Sequence, residues 1–280
     1  MGATAVPRPD AVMARVQGEN FPVASRLLPA EVRRDLLAIY GFARLVDDAG
    51  DEAAGDRAAL LDHLEREVDL LFAGAPTHPL FRRLVPTVRR HRIPDQPFRR
   101  LIAANRQDQT VRRYPTFSDL RAYCELSANP VGHLVLHVLE AATPERVALS
   151  DDVCTGLQLV EHWQDVREDH GRGRIYVPQD DLVRFGVPEA ILGSDVPTEA
   201  FHALMAFEEG RARSLLASGA PLAATFRGRA RYAVAAFAAG GLAALDAMAR
   251  ADHDVLSGSP RPGALRRARW LLAVLRGGAG

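Results

Sequence analysis

Apolar residues recur at three- and four-residue spacing along almost the whole chain, and no strict alternation survives more than a few positions. That period turns one stripe of each segment inward and leaves nothing that would pleat as a half-buried strand, so an all-α fold is expected. The first expected helix is opened by Pro29 and Glu31 and runs through about residue 52. Others are expected over 57–72, 79–91, 97–109, 118–127, 131–141, 150–170, 198–218, 221–250 and 263–276. Gly and Pro mark breaks at Gly74-Ala75-Pro76, Ile93-Pro94, Tyr114-Pro115, Asn129-Pro130, 171–178 and 258–262. No linker or fixed-period repeat divides the 280 residues, so one domain spanning 1–280 is expected, with 1–18 flexible and 262–280 an amphipathic helix and tail.

Charge excludes several function classes. The 35 basic residues balance 35 acidic ones, which leaves no footprint for nucleic acid. Every basic residue is arginine, and a chain without lysine cannot form a lysine Schiff base or supply a Walker A lysine. Cys124 and Cys154 have no partners at metal or redox spacing and are expected in the core of a protein kept in a reducing compartment. The polar start MGATAVPRPD lacks the apolar run of a secretory signal, and the longest apolar run, 232–245, is shorter than a bilayer span. A cytoplasmic location is the expectation.

Chemistry concentrates in two acidic stretches. The first is Tyr40-Gly-Phe-Ala-Arg44-Leu-Val-Asp47-Asp48-Ala-Gly-Asp51-Glu52. At about 100° per residue, Tyr40, Arg44, Asp47 and Asp51 share a stripe roughly 60° wide, with Asp48 on its flank. Two acids at i and i+4 repel unless a cation lies between them. The structural alternative is a solvated helix end closed by Gly50, with Arg44 pairing Asp47 or Asp48.

The second stretch is Gln158-Leu-Val-Glu161-His162-Trp-Gln-Asp165-Val-Arg-Glu168-Asp169. Steps of three, four and four place Gln158, Glu161, Asp165 and Asp169 within an arc of roughly 80° of a continuous helix. Two such stripes in one chain suit Mg²⁺, which takes oxygen ligands and is held by a few carboxylates together with substrate phosphates. A turn follows at once, His170-Gly-Arg172-Gly-Arg174-Ile-Tyr176-Val-Pro178. Its guanidiniums can neutralise a departing diphosphate, or serve only to offset a helix C-terminus.

These stretches resemble the squalene and phytoene synthases, the head-to-head isoprenoid synthases with the class I terpenoid synthase fold, a helical bundle around a central cavity. The resemblance extends through Glu19-Asn-Phe-Pro-Val-Ala-Ser25-Arg26-Leu-Leu-Pro29, Tyr123-Cys-Glu-Leu-Ser-Ala-Asn129-Pro-Val-Gly132, and Trp163-Gln-Asp165 through Arg174-Ile-Tyr-Val-Pro-Gln-Asp-Asp-Leu-Val-Arg-Phe-Gly186. It is nearest to the bacterial hydroxysqualene synthases of hopanoid biosynthesis. What it implies is loss of diphosphate from presqualene diphosphate, rearrangement of the cyclopropylcarbinyl cation, and capture by water.

Residue by residue, the resemblance implies that Asp47, Asp48 and Asp51 hold one Mg²⁺ cluster and Glu161, Asp165 and Asp169 the other, for two or three ions. Tyr40, Arg44, Tyr123, Gln158 and Tyr176 take catalytic places, and Ser25, Arg26, Arg44, Gln158 and Arg174 contact the diphosphate. The chain departs from the family where Glu161 replaces the usual Asn and His162 replaces an aromatic or apolar residue. A degraded enzyme kept as a lipid carrier is therefore one alternative.

Phytoene, dehydrosqualene and squalene synthases, which condense two farnesyl-type diphosphates head to head, are others. No Gly-x-Gly-x-x-Gly follows a strand to hold a nicotinamide cofactor, and a head-to-tail prenyltransferase would show a second Asp-Asp-x-x-Asp. A helical di-iron oxidase needs paired Glu-x-x-His elements, and only Glu199-x-x-His202 fits. Histidines 63, 133, 137 and 202 are expected to pack or face solvent. The last helix combines Arg266, Arg267, Arg269 and Arg276 with Trp270, Leu271, Leu272 and Leu275. It is expected to pack on the core or lie in a membrane interface, near the enzymes before and after it in the pathway.

Overall fold

The computed structural model describes residues 12–13 and 28–278; Ser25, Arg26 and nearly all of the segment 1–18 lie outside the described residues. Helices dominate, and no strand occurs among the described residues beyond an isolated parallel bridge between Arg113 and Ile175. The chain forms two compact units. One draws on Met1–Thr110 and Leu126–Val147, the other on Val111–Glu125 and Ala148–Gly280.

The first unit is built on α1 (Ala30–Asp51), which packs against α2 (Arg57–Ala73), α3 (Pro79–His91), α4 (Gln96–Gln107) and, beyond α5 (Phe117–Ser127), α6 (Asn129–Val138). The apolar period of α1 brings Phe42 to the centre, where it meets Phe81 and Phe98 edge-on at 5.4 and 5.0 Å. Asp56 starts α2 by accepting from Ala59 N at 2.9 Å, and Gly74 ends it in the left-handed conformation, φ 85°. Buried Glu67 then satisfies the amides of Thr77 and His78 at 2.9 and 3.0 Å, so the turn into α3 is held by a carboxylate from α2.

The second unit contains α5 through Glu125, α7 (Pro144–Gln164) from Ala148, α8 (Val166–Gly171), α9 (Gln179–Phe185), α10 (Glu199–Gly219), α11 (Gly228–Arg250) and α12 (Ala264–Leu275). Helices α7, α10 and α11 converge on Leu216 because Gly156 and Gly241 carry no side chain. A Cβ on either would stand 2.8 or 2.7 Å from a Leu216 carbon. The Trp163 indole, fully buried, donates to Glu208 O at 3.2 Å. Arg211 bridges buried Asp181 and Glu208 and lies 4.3 Å from the Phe117 and Phe207 rings. Burial pushes the Glu208 carboxyl up to about 8 against the pull of Arg211.

Several expected boundaries are corrected. The single helix expected over 150–170 begins earlier, at Pro144, and is interrupted at Asp165 (φ −107°, ψ 13°). The segment read as one helix over 221–250 is a 3₁₀ turn, Ala220–Thr225, followed by α11. Helix α9 and the 3₁₀ turn Glu189–Gly193 were not expected at all; the first has seven residues and the second five, too short to display a period. Helix α11 is longer than its apolar run and passes the length and composition test for a membrane span, but 61% of its most apolar window is buried inside the protein. It is a core helix of its unit.

Candidate active site

The first acidic stretch occupies the last turns of α1. Arg44 Nε meets Asp48 Oδ1 at 2.8 Å and its Nη2 meets Glu52 Oε1 at 3.3 Å. Asp48 is thus the partner of Arg44 and is buried, whereas Asp47 and Asp51 remain open to solvent. Asn105 from α4 donates its amide to Asp47 Oδ1 at 3.2 Å and to Leu101 O at 3.2 Å. Gln109 ties the same region down, donating to Gly50 O at 3.0 Å.

Gly50 is needed here by close approach. A Cβ at this position would stand 2.9 Å from Asn105 Cγ and closer still to Oδ1. The sequence suggested only that Gly50 closes the helix; the contact that demands it comes from α4.

The Asp47 carboxyl is accessible to water yet crowded by protein. Lost hydration pushes it up to about 6, with Asp51 and Asp48 adding repulsion and Asn105 and Arg44 pulling the other way. The residue is exposed, so this shift describes a carboxylate that would gain from a cation rather than a measure of stability.

The second stretch spans the break between α7 and α8. Asp165 N donates to Glu161 O at 2.9 Å and Asp169 N to Asp165 O at 2.8 Å, so the i to i+4 rungs on either side of Asp165 survive the interruption. The even helical arc assumed from spacing does not hold through Asp165, whose backbone is off the helical values. Lost hydration, then Asp165, raise the Asp169 carboxyl to about 7, while Arg172 and Arg174 oppose the shift. Asp165 is raised as well, by lost hydration and then by Glu168, with Arg172, Ser259 and Arg261 opposing.

A stacked aromatic group lies beside these acids. His162 is buried and packs face to face on Tyr176, with ring centres 3.7 Å apart. The Gln158 amide donates to His162 Nε2 at 3.2 Å, which leaves Nδ1 to carry the proton, 4.0 Å from Asp169 Oδ2. Burial, then the charge of Arg174, pushes the imidazole down to about 3, so the ring is neutral. Tyr123 stands 5.8 Å from Tyr176 and 5.4 Å from Tyr114, which itself stacks on Tyr176 at 5.7 Å. Ile175 N donates to Arg112 O and Gln179 N to Tyr114 O, both at 2.9 Å, and these bonds set Tyr114 beside Tyr176. His162, Asp169 and Tyr176 help to line a cavity of about 10 Å³, the size of one water.

The donor set fits Mg²⁺ in kind. Its open groups are carboxylate oxygens; Asp47 and Asp169 are raised towards neutrality by lost hydration and by the neighbouring acids of their own stretches. Among the described residues no three acidic, His or Cys side chains converge into a finished metal cage. His202, the histidine of the di-iron alternative, has its Nδ1 hydrogen-bonded to Asp252 O.

Of the expected site residues, Tyr40, Arg44, Asp47, Asp48 and Asp51 share α1 in the first unit, and Tyr123, Gln158, Glu161, Asp165, Asp169, Arg174 and Tyr176 belong to the second. Arg172 pairs with Glu168 at 2.6 Å beside the left-handed Gly173, φ 78°, as a helix end would have it. Spacing gave no role to Asn105, Gln109 or Tyr114. The one available signal was the i, i+4 pair of amides at 105 and 109.

Comparison with known proteins gives a match to the squalene/phytoene synthase family over residues 14–272. The chain is 36% identical over 210 residues to a phytoene synthase from Arthrospira platensis, covering 70% of this chain and 68% of the relative. It is 35% identical over 211 residues to a hydroxysqualene synthase from Rhodopseudomonas palustris, covering 75% and 72%. It matches the crystal structure of squalene synthase HpnC from Alicyclobacillus acidocaldarius with a TM-score of 0.81 and 41% identity, covering 86% of this chain and 92% of that one. The all-α, terpenoid synthase-like fold follows.

Proposed function

Because the chain belongs to the squalene/phytoene synthase family, whose members act on prenyl diphosphates and generally depend on a divalent metal, we propose that it is a Mg²⁺-dependent hydroxysqualene synthase. The reaction is presqualene diphosphate plus water giving hydroxysqualene and diphosphate, in squalene and hopanoid biosynthesis. The observation that carries this choice is the 35% identity to the hydroxysqualene synthase of Rhodopseudomonas palustris over 75% of the chain.

In this reading Asp47 and Asp51, together with Glu161, Asp165 and Asp169, would hold two or three Mg²⁺ ions. When bound, the ions supply positive charge to the departing diphosphate. Arg44 and Arg174, with Ser25 and Arg26, bind the same group, and arginine suits its oxygens because the guanidinium donates in a planar fork. Asp48 holds Arg44 in place for that contact. The faces of Tyr40, Tyr123 and Tyr176 steady positive charge on carbon, and Gln158 is oriented by His162. A water then forms the new C–O bond and its proton leaves with the diphosphate or solvent.

A second reading, head-to-head condensation of two prenyl diphosphates, is favoured by the 36% identity to the Arthrospira phytoene synthase. Purified protein given presqualene diphosphate and Mg²⁺ without a reductant separates the two: a C30 alcohol supports the first reading, and no turnover of this substrate opposes it. The site is read as cytoplasmic, with α12 facing the inner membrane surface, where a greasy product would pass to the next enzyme of the pathway.

A further inference from the structure

The interruption at Asp165 coincides with hydrogen bonds from a distant part of the chain. In an unbroken helix Gln164 O would accept from the amide of residue 168; here it accepts from the Ser259 hydroxyl at 2.7 Å. Gln164 returns a second bond, donating its side-chain amide to Pro260 O at 2.9 Å. One turn further on, Arg167 Nη1 donates to Leu256 O at 3.1 Å. Three hydrogen bonds thus fasten the connection between α11 and α12 onto the residues that flank Asp165.

That connection is itself held firmly. Val255 and Leu256 are buried, and Asp254 Oδ1 accepts from Leu256 N and Ser257 N at 3.1 and 3.0 Å. Pro260 and Pro262 fix two backbone angles, and α11 and α12 pack on each other at its two ends. Such a segment gives up little freedom when it docks.

We infer that the α11–α12 connection is a strap that sets the backbone of Asp165, and that Ser259 is a positioning residue for that carboxylate. The inference rests on the reading of Asp165 as a metal-binding group. Ser259 touches no reacting atom; it supplies the hydrogen bond that replaces a helix rung and so fixes where the Asp165 side chain leaves the backbone. Groups that orient a metal-binding carboxylate change metal affinity by about 10- to 100-fold when removed.

The test uses the full chain with Ser259→Ala, Ser259→Thr and, as a control outside the strap, Ser214→Ala, whose hydroxyl bonds Gly210 O of its own helix. Two readouts are taken: the Mg²⁺ concentration giving half-maximal diphosphate release, and hydrogen exchange of the amides at 165–169. Ser259→Ala is expected to need about tenfold more Mg²⁺ and to exchange faster at 165–169, with Ser259→Thr restoring both and Ser214→Ala changing neither. A wild-type Mg²⁺ requirement in Ser259→Ala overturns the inference. Should the wild-type protein release no diphosphate at any Mg²⁺ concentration, the proposed activity fails instead. Exchange alone then decides the strap, with unchanged exchange in Ser259→Ala against it.

Discussion

Replacing Gly50 by Ala tests whether the first acidic stretch is shaped by α4 or only by its own helix. Intrinsic propensity favours the change by about 1 kcal/mol, because glycine is the poorest ordinary residue in a helix interior. The structure opposes it. The new Cβ would stand 2.9 Å from Asn105 Cγ and 3.1 Å from its Cβ, so rotating the amide tip alone does not clear the space. Overpacking costs about 1–3 kcal/mol. Displacing Asn105 also breaks its bond to the Asp47 carboxylate, worth about 1.5 kcal/mol at the low end that suits an exposed acid.

The balance is a loss of about 2 kcal/mol, or roughly 4–8 °C in melting temperature for a chain of this size. In an Asn105→Ala background the amide and its bond to Asp47 are already absent and only the 3.1 Å contact with Cβ remains, so Gly50→Ala should lower the melting temperature by about 3–6 °C less than in the wild type. Thermal denaturation of the four proteins of this cycle, followed by circular dichroism, gives the coupling directly. Equal effects of Gly50→Ala in both backgrounds would refute the reasoning.

Mg²⁺ should protect the protein from heat more at pH 8 than at pH 5.5. Asp47 and Asp169 are raised from 3.8 to about 6 and about 7, so the folded protein holds their protons more tightly than the unfolded chain. Their contribution to stability falls as pH rises through that window, and a cation relieves the repulsion only once they are charged; equal protection at both pH values in a thermal shift assay contradicts this. Tyr123→Phe should lower turnover or change the product if its hydroxyl orients water, whereas unchanged turnover and product remove that hydroxyl from the mechanism. Leu265 and Leu272 are exposed on α12 although Val274 is buried and Arg231 donates to Leu275 O at 2.7 Å. The double change to Glu should therefore abolish sedimentation with anionic liposomes, and protein that sediments equally well after it does not use this face.

The fold was legible where local pattern decides it. The helix expected over 79–91 is Pro79–His91, because Pro stands at its first turn, basic residues crowd its end and apolar positions repeat between them. Patterns failed where a distant partner decides. The stretch 150–170 reads as one helix, and only Ser259 and Gln164 together reveal why it breaks at Asp165. The α1 stripe was visible, yet spacing could not say that Arg44 would take Asp48 and leave Asp47 to Asn105, since Asn105 comes from another helix. His162 stood out only as an oddity beside Glu161. Its stacking on Tyr176 and bond to Gln158 make it part of the site's frame.

The central claim is that the acids of α1 and those around the α7–α8 break serve one diphosphate. A crystal structure of the full chain with Mg²⁺ and a non-hydrolysable prenyl diphosphate analogue measures this directly. The account predicts metal ions touched by Asp47 or Asp51 and by Asp165 or Asp169, all joined through the oxygens of a single diphosphate. Ions on one set of acids alone, with the other set turned to bulk water, would contradict it.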